Sequence, residues 1–382
     1  MAHHSTVLAQ ILKLLPRHEF EAAASRHHKG RRLRGISRWE QFVALAVAQL
    51  TRRNSLRDLL ANFRAQGSKL YHLGVRVLSR STLARVNQTQ PASLFEELFH
   101  KLLARTQRHA PGHRFRFEGR LISLDASLLE VTASLFPWAK YQAIKGAIKL
   151  HVGLDHAGYL PTFVTITEGR QHEIYWARAL DLPAGSVVVF DRGFFDYRFF
   201  NQLTEKKIRF VTRLKRVVPY SVRERRSPVG DGVTSDQIIH PQGIKAARYN
   251  LSLRRIGYRD PRTGKHYVFL TNAFDLAAST IAEVYRDRWQ IELFFKWMKQ
   301  NLRINSFLGT SRNAVLSQLW VALCVYLVLA YHRFLCRNGW SMSHLVRLLQ
   351  LNLFERTSLD LLLRPPDSAN TTKPLQLALR MG

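Results

Sequence analysis

The sequence predicts an α/β protein: a sheet-and-helix core interrupted by a β-rich insertion, with an all-α region before it and further helices after it. Three observations lead there. Apolar residues recur at helical spacing through the first 110 residues. From Arg120 they gather instead into short runs of strand length, two of which end in an acid. After Ala314, long apolar stretches of helical length return. A chain of 382 residues is long enough for two or three domains, and these changes divide it at 1–110, 111–310 and 311–382. With 46% hydrophobic residues it can bury a sizeable core.

The first region opens with a basic run, Arg26-His27-His28-Lys29-Gly30-Arg31-Arg32-Leu33-Arg34. It suits a phosphate-contacting arm and equally a solvated loop. Ser37 and Glu40 then have capping-box spacing, and Trp39, Phe42, Val43, Ala46 and Leu50 follow on a helical period. A second helix is expected from Ser55 to about Phe63. Tyr71-His72-Leu73-Gly74 reads as a loop, and a third helix is expected to start at Ser81. That helix carries Arg80 and Arg85, basic residues at its start and one turn in, as a major-groove recognition helix requires. A solvated helix face would look the same.

The middle region reads as three strands, residues 121–125, 147–154 and 159–167, the last two joined by the hairpin signal Asp155-His156-Ala157-Gly158. A helix at 173–180, a strand at 186–191, a helix at 196–206 and a strand at 208–212 follow. Three meandering strands, then helix, strand, helix, strand, is the order of a ribonuclease-H-like α/β core, with the fourth and fifth strands parallel to the first. Residues 217–271 read as a β insertion with pieces at 249–256 and 267–270. Helix resumes near Ser279, residues 314–362 form two or three apolar helices, and 364–382 read as a loose tail.

The net charge is +31 with a pI near 11. That is an argument about partners, and the natural partner is nucleic acid. Small basic structural proteins share the charge but are short and poor in aromatics, whereas this chain has 22 Phe and 7 Trp. Cys324 and Cys336 make no metal-type spacing and no disulfide framework, which suits a reducing cytosol. No secretory pattern is visible at the start, and His3 and His4 are too few to be a tag. The longest apolar run, 319–331, reads as a buried helix and not a membrane span. No Gly-rich phosphate loop indicates a nucleotide cofactor.

Two acids close apolar strands, Asp125 the first and Asp191 the fourth. In the sheet order above these strands are neighbours, so both carboxylates meet at one end of the sheet. Converging carboxylates repel unless a cation lies between them, and hard oxygen ligands suit Mg²⁺ or Mn²⁺. Alone, each acid reads more readily as a turn or helix cap. A sharper signal lies in the helix expected at 284–300. At ~100° per residue, Tyr285, Arg288, Glu292 and Lys299 sit at about 0°, −60°, −20° and −40°, one narrow stripe. A carboxylate flanked by two cations and a phenol suits a metal between phosphates. An exposed helix with an Arg288–Glu292 pair is the plainer alternative. His151 is read as a structural histidine near the sheet edge. Trp289 and Trp297 are expected in the core.

Tyr, two residues, Arg, three residues, Glu, six residues, Lys resembles the signature of the insertion-sequence-4 group of DDE transposases. Asp191-Arg192-Gly193-Phe194 and Leu124-Asp125-Ala126-Ser127 are similar to that group's second and first aspartate motifs, and residues 35–59 resemble the helical DNA-binding leader of one branch. The resemblance implies that Asp125, Asp191 and Glu292 are the catalytic, metal-binding triad, holding two Mg²⁺ or Mn²⁺ ions. It implies that Tyr285, Arg288 and Lys299 grip DNA phosphates, with Arg213 and Lys215 as weaker contacts. The implied partners are terminal inverted repeats, target DNA and, in the DNA-bound complex, a second copy of the chain, in a bacterial cytoplasm. In well-studied relatives a tryptophan of the insertion helps flip a base. The segment 217–271 has no Trp, leaving Tyr258 or Tyr267 to stack and a hairpin intermediate open. A ribonuclease-H-like endonuclease without strand transfer would share the acids with little use for the grip. A domesticated DNA-binding protein would be expected to have lost one.

Overall fold

A computed structural model describes residues 5–139, 145–215, 217–336 and 340–364. The expected tail at 364–382 lies outside these, apart from Arg364. Six helices come first: α1 (Val7–Leu12), α2 (Arg17–Arg26), α3 (Arg38–Leu50), α4 (Leu56–Ala65), α5 (Arg80–Thr89) and α6 (Ser93–Gln107). The capping box at α3 forms, with Ser37 Oγ accepting from Glu40 N at 3.1 Å and Glu40 Oε2 accepting from Ser37 N at 2.6 Å. Such caps are worth about 1 kcal/mol. Every residue of α3 is buried. The α5 helix starts one residue earlier than expected, because Ser79 supplies the cap to Thr82 N. The expected loop at 71–74 is the end of a 3₁₀ turn, Gly67–Leu73, closed by Gly74 in the left-handed region at φ 62°.

The sheet begins with β1 (Leu121–Thr132), β2 (Lys145–Asp155) and β3 (Leu160–Glu168). After α7 (Glu173–Ala179) come β4 (Val187–Phe190), α8 (Tyr197–Glu205) and β5 (Arg209–Arg213). The insertion supplies β6 (Tyr220–Arg226), β7 (Val233–Pro241), β8 (Leu253–Arg259) and β9 (His266–Thr271). Among the described residues all nine strands form one sheet in the order β3-β2-β1-β4-β5-β9-β8-β7-β6. As expected, β4 is parallel to β1 and β5 to β4. The insertion extends the main sheet, because β9 pairs antiparallel with β5; strand patterning alone carried no sign of that pairing.

Strand alternation gives the sheet two differently covered faces. Ile122, Leu124, Val188 and Phe190 face Trp176 of α7 and Phe199 and Phe200 of α8. Leu121, Val187 and Val189 face the other way, onto Ile281 and Val284 of α9 (Ala278–Asp287). On that second side, Leu129 and the β2 residues Ile148, Leu150, Val152 and Leu154 join a large core. It is shared with the N-terminal helices, α10 (Trp289–Asn301), α11 (Arg312–Leu335) and α12 (Met342–Asn352). A last short helix, α13 (Leu359–Leu362), packs on α1. At 24 residues α11 outruns the apolar stretch that announced it, and by length and composition it could cross a bilayer; 89% of its apolar window is instead buried in the fold. It runs between α3, α5, α6 and α12.

Candidate active site

Asp125 is the fifth residue of the twelve-residue β1 and not its end, since the strand continues alongside β2 to Thr132. What stops beside it is β4. The parallel ladder ends at Leu124 opposite Phe190, so Asp125 and Asp191 are the next residues along. Asp191 begins a 3₁₀ turn, where its Oδ1 accepts from Gly193 N at 2.8 Å. A Cβ on Gly193 would stand 2.9 Å from that oxygen, so glycine there makes room for the carboxylate.

The third acid comes from a helix that is not continuous. The expected single helix at 284–300 is broken at Arg288 into α9 and α10. The Arg288 amide is shared between the carbonyls of Val284 and Tyr285, and Ile291 N bonds back three residues to Arg288 O. Just past the break, Arg288 Nη2 donates to Glu292 Oε1 at 2.6 Å. The α10 helix lies along β1, which puts Glu292 beside Asp125.

The electrostatics are unbalanced. Burial pushes the Asp125 carboxyl up to about 7, and the charges of Asp191 and Glu292 add to the rise. The Ala126 amide, which donates to Asp125 Oδ1 at 2.8 Å, and the Arg288 guanidinium work against it. For Arg288, burial opposes the charge, but Tyr285, Glu292 and Asp125 raise its pKa above the ordinary value. Its buried Nε has no partner. In this conformation no three His, Cys, Asp or Glu side chains among the described residues converge closely enough to hold a cation. The cause is visible in the bonds: Asp125 and Asp191 each have a local amide, and Glu292 has Arg288. The donor set still fits a hard divalent cation. It consists of carboxylate oxygens only, and burial with the neighbouring Asp191 and Glu292 charges disfavours the ionised form of Asp125, which a bound cation would restore.

The grip residues separate into two groups. Tyr285 packs in a tilted contact with Phe269 (ring centroids 5.0 Å apart), with the Arg288 guanidinium 5.6 Å from its ring centre. Burial raises its phenol pKa, and it feels Arg288, Arg213 and Asp191 as neighbours. Arg213 lies 4.9 Å over the Tyr267 ring, and the exposed Lys215 lies 5.2 Å over Phe195. Lys299 sits further along β1, donating to Leu128 O at 3.2 Å; burial lowers its pKa, against the pull of Glu130. Arg80 and Arg85 are exposed on α5, which packs on α3, α4 and α11. The basic run after α2 forms a loop with Arg31, Arg32 and Arg34 exposed.

One expectation is corrected here, and one set of residues was missed. Trp289 is not a core residue: it is 56% exposed. With Arg213, Tyr258, Tyr267, Phe269, Tyr285 and Arg288 it lines a cavity of about 320 Å³ between the insertion and the α9–α10 break. Trp289 is the first residue of α10, directly after the break. Trp297 does pack inward, its ring 5.3 Å from Tyr326. His151 faces away from the acids. It opposes Ala126 and not Asp125, bonds Thr167 Oγ1 at 2.9 Å and packs against Trp176, while burial, then Lys149, lowers its pKa to about 4. Missed altogether were Ser123, His156 and Asp287, joined by hydrogen bonds beneath the break. The sequence showed His156 only as part of a turn.

Residues 116–328 match the family described as the transposase DDE domain, and residues 3–76 match one described as a domain of unknown function (DUF4372). Among similar proteins is y4zB of Sinorhizobium fredii, which carries a transposase name; it is 32% identical over 74% of this chain and 80% of that protein. A protein of Geobacillus stearothermophilus, named as a transposase of insertion sequence element IS5377, is 29% identical over 66% of each chain. A third, of Synechocystis, named for insertion sequence element IS4SA, is 22% identical over 73% of this chain and 79% of its own.

Proposed function

The chain belongs to the transposase DDE domain family, and from that premise we propose that it binds the terminal inverted repeats of a bacterial insertion sequence and moves them by metal-dependent cleavage and strand transfer. It is a transposase of the insertion-sequence kind, an enzyme that cuts and rejoins DNA. The Tyr285, Arg288, Glu292 and Lys299 spacing supports membership of the insertion-sequence-4 group. The β3-β2-β1-β4-β5 order, with β4 and β5 parallel to β1, supports a ribonuclease-H-like core. On the same reading residues 1–110 bind DNA, 111–310 catalyse, and the C-terminal helical region that starts at 311 braces the core through α11 and α12. The enzyme works as a homodimer on DNA in the cytoplasm.

One observation carries the assignment of Asp125, Asp191 and Glu292 as the catalytic acids. Burial, with the neighbouring charges of Asp191 and Glu292, pushes Asp125 up to about 7 despite Arg288, so its ionised form there would be favoured by a bound cation. Two divalent ions bound there would activate the attacking oxygen and stabilise the departing 3′ oxygen. The chain's own groups prepare the site. Arg288 neutralises Glu292 before DNA arrives, and its unpartnered Nε then has a phosphate oxygen to take. Tyr285 and Arg213 hold the strand on the insertion side, while Lys299 meets it further along β1. Lys215 continues the basic path, and Arg80 and Arg85 read the repeat. The aromatic cavity of Tyr258, Tyr267 and Trp289 supports stacking of an unpaired base without an insertion tryptophan.

Replacing Asp125, Asp191 or Glu292 by Ala should abolish nicking of terminal-repeat DNA while leaving DNA affinity within a few-fold. A fully active variant removes that residue from the set.

A further inference from the structure

Beneath the α9–α10 break lies a chain of polar groups that the acids do not use. Ser123 Oγ is 2.6 Å from His156 Nε2, and His156 Nδ1 is 2.8 Å from Asp287 Oδ2. The other carboxylate oxygen of Asp287 is 3.1 Å from Arg114 Nη2. The side chain of His156 is 1% exposed and that of Asp287 9%, and Ser123 is fully buried. Order and distances match those of a nucleophilic serine with its base and orienting acid. No substrate reaches this serine, however, because it points from the sheet into the covered side under α9. The array must therefore act through what it holds.

It holds three elements. Ser123 lies two residues before Asp125, on the same face of β1. Asp287 is the last residue of α9, and Arg288 is the break itself. His156 stands in the turn after β2, and that turn is rigid. Its backbone N donates to Leu121 O at 2.9 Å, and Ala157 N donates to Asp155 Oδ1 at 2.9 Å. Tyr326 Oη of α11 donates to Tyr159 O at 2.9 Å. Gly158, at φ 74°, packs so closely that a Cβ there would stand 2.6 Å from Phe334 Cζ. With the imidazole neutral, Nδ1–H donates to Asp287 and Nε2 accepts the Ser123 hydroxyl. Burial works against the charge on Asp287, but His156 and Arg114 hold its carboxyl below the ordinary range.

We propose that Ser123, His156 and Asp287 form a positioning relay that fixes the α9–α10 break on β1 and so sets how closely Glu292 approaches Asp125. The inference rests on the acid assignment above. Ser123 and Asp287 are the near ends of the two segments that carry those acids, and the relay ties them at the break, while Lys299 Nζ on Leu128 O ties α10 to β1 farther along. Without it α10 keeps its apolar contacts with the core and its Lys299 bond to Leu128 O, but the end of α10 next to the break, where Glu292 lies, loses its stop.

The test uses the full chain, with single-turnover nicking of terminal-repeat DNA, DNA affinity without metal, and amide hydrogen exchange. His156→Ala should slow nicking by about tenfold or more, as displaced reacting groups do. It should keep DNA affinity within about threefold and speed exchange at residues 285–295 selectively. His156→Asn, which returns a donor near the Nδ1 position, should recover part of the rate. Nicking within twofold of the parent despite faster exchange at the break would overturn the proposal, since the relay would then only stabilise the fold. Slower nicking with unchanged exchange there would overturn it too. If His156→Ala does not fold, Ser123→Ala and Asp287→Asn are judged by the same two readouts. Glu292→Gln is the control: full nicking by that variant would sink the acid assignment, while exchange at the break would still report on the relay.

Discussion

Two charge clusters in this protein, one buried and one open, are built on opposite plans. In the insertion, Arg254 of β8 makes two bonds to Asp236 of β7, at 2.9 and 2.6 Å, and donates to the carbonyls of Ala273 and Leu276 as well. One cation meets one anion, and the remaining donor finds backbone oxygens in the segment leading into α9. At the end of β4, burial pushes the Asp125 carboxyl up to about 7, the charges of Asp191 and Glu292 add to the rise, and Arg288, already bonded to Glu292, offsets only part of it. A closed cluster with matched charges holds elements together. An open one with surplus negative charge is unfinished until a cation joins it. The same logic explains why each acid has taken a stopgap partner, an amide for Asp125 and Asp191 and an arginine for Glu292.

The comparison breaks most easily at its extremes. Asp191→Ala should remove nicking altogether in a gel assay yet leave the melting temperature within a few degrees, because it deletes surplus charge. Arg254→Ala should do the reverse. Leaving Asp236 buried and unpaired is expected to cost about 3–5 kcal/mol, read by urea denaturation, with nicking intact in whatever remains folded. If Arg254→Ala proved stable and inactive, the two clusters would not divide as described.

Two smaller effects sharpen it. Lys299 touches β1 beyond the acids, at Leu128, so its loss should disturb DNA placement more than cation binding. Lys299→Ala is expected to slow strand transfer by roughly a hundredfold on pre-nicked substrate, with first nicking hurt less. A steeply increased Mg²⁺ requirement would move Lys299 into the metal site. The raised Asp125 pKa also has a signature in stability. Its folded pKa of about 7 exceeds the ordinary aspartate value of 3.8, so between those values the folded state holds a proton that the unfolded state has released. Stability without metal should therefore fall as pH rises through that window and level off above it. Asp125→Asn should melt like the parent near pH 4 and above it at pH 8, by up to a few kcal/mol. Equal melting at pH 8 would mean that Asp125 is not under strain.

Much of this was legible in the sequence. Strand-length runs gave the sheet elements, and the Tyr285 to Lys299 spacing picked out the helix that carries Glu292. The illegible parts share a physical cause, which is dependence on partners distant along the chain. Asp125 reads as a strand end because β4 stops there, while β1 itself runs on with β2. The break at Arg288 follows no Pro or Gly, so helical periodicity runs straight through it and places Trp289 in a core it does not enter. Ser123, His156 and Asp287 carry no motif spacing; only the folded sheet brings them within hydrogen-bond reach.

The smallest expected effect lies farthest from the chemistry. Replacing Arg80 and Arg85 by Ala should reduce preference for terminal-repeat over unrelated DNA more than it reduces bulk affinity. In filter binding across a salt series, an equal loss on both DNAs would make α5 a backbone contact and not a reader.

The central claim is that three acids from β1, the end of β4 and α10 complete one cation site when DNA is bound. It is tested most directly by titrating Mn²⁺ into the full chain on terminal-repeat DNA and following free Mn²⁺ by electron paramagnetic resonance. The parent protein should take up about two ions, and Asp125→Asn, Asp191→Asn and Glu292→Gln should each lose most of that uptake while still holding DNA. Undiminished Mn²⁺ uptake by Glu292→Gln, the acid now paired with Arg288, would contradict it.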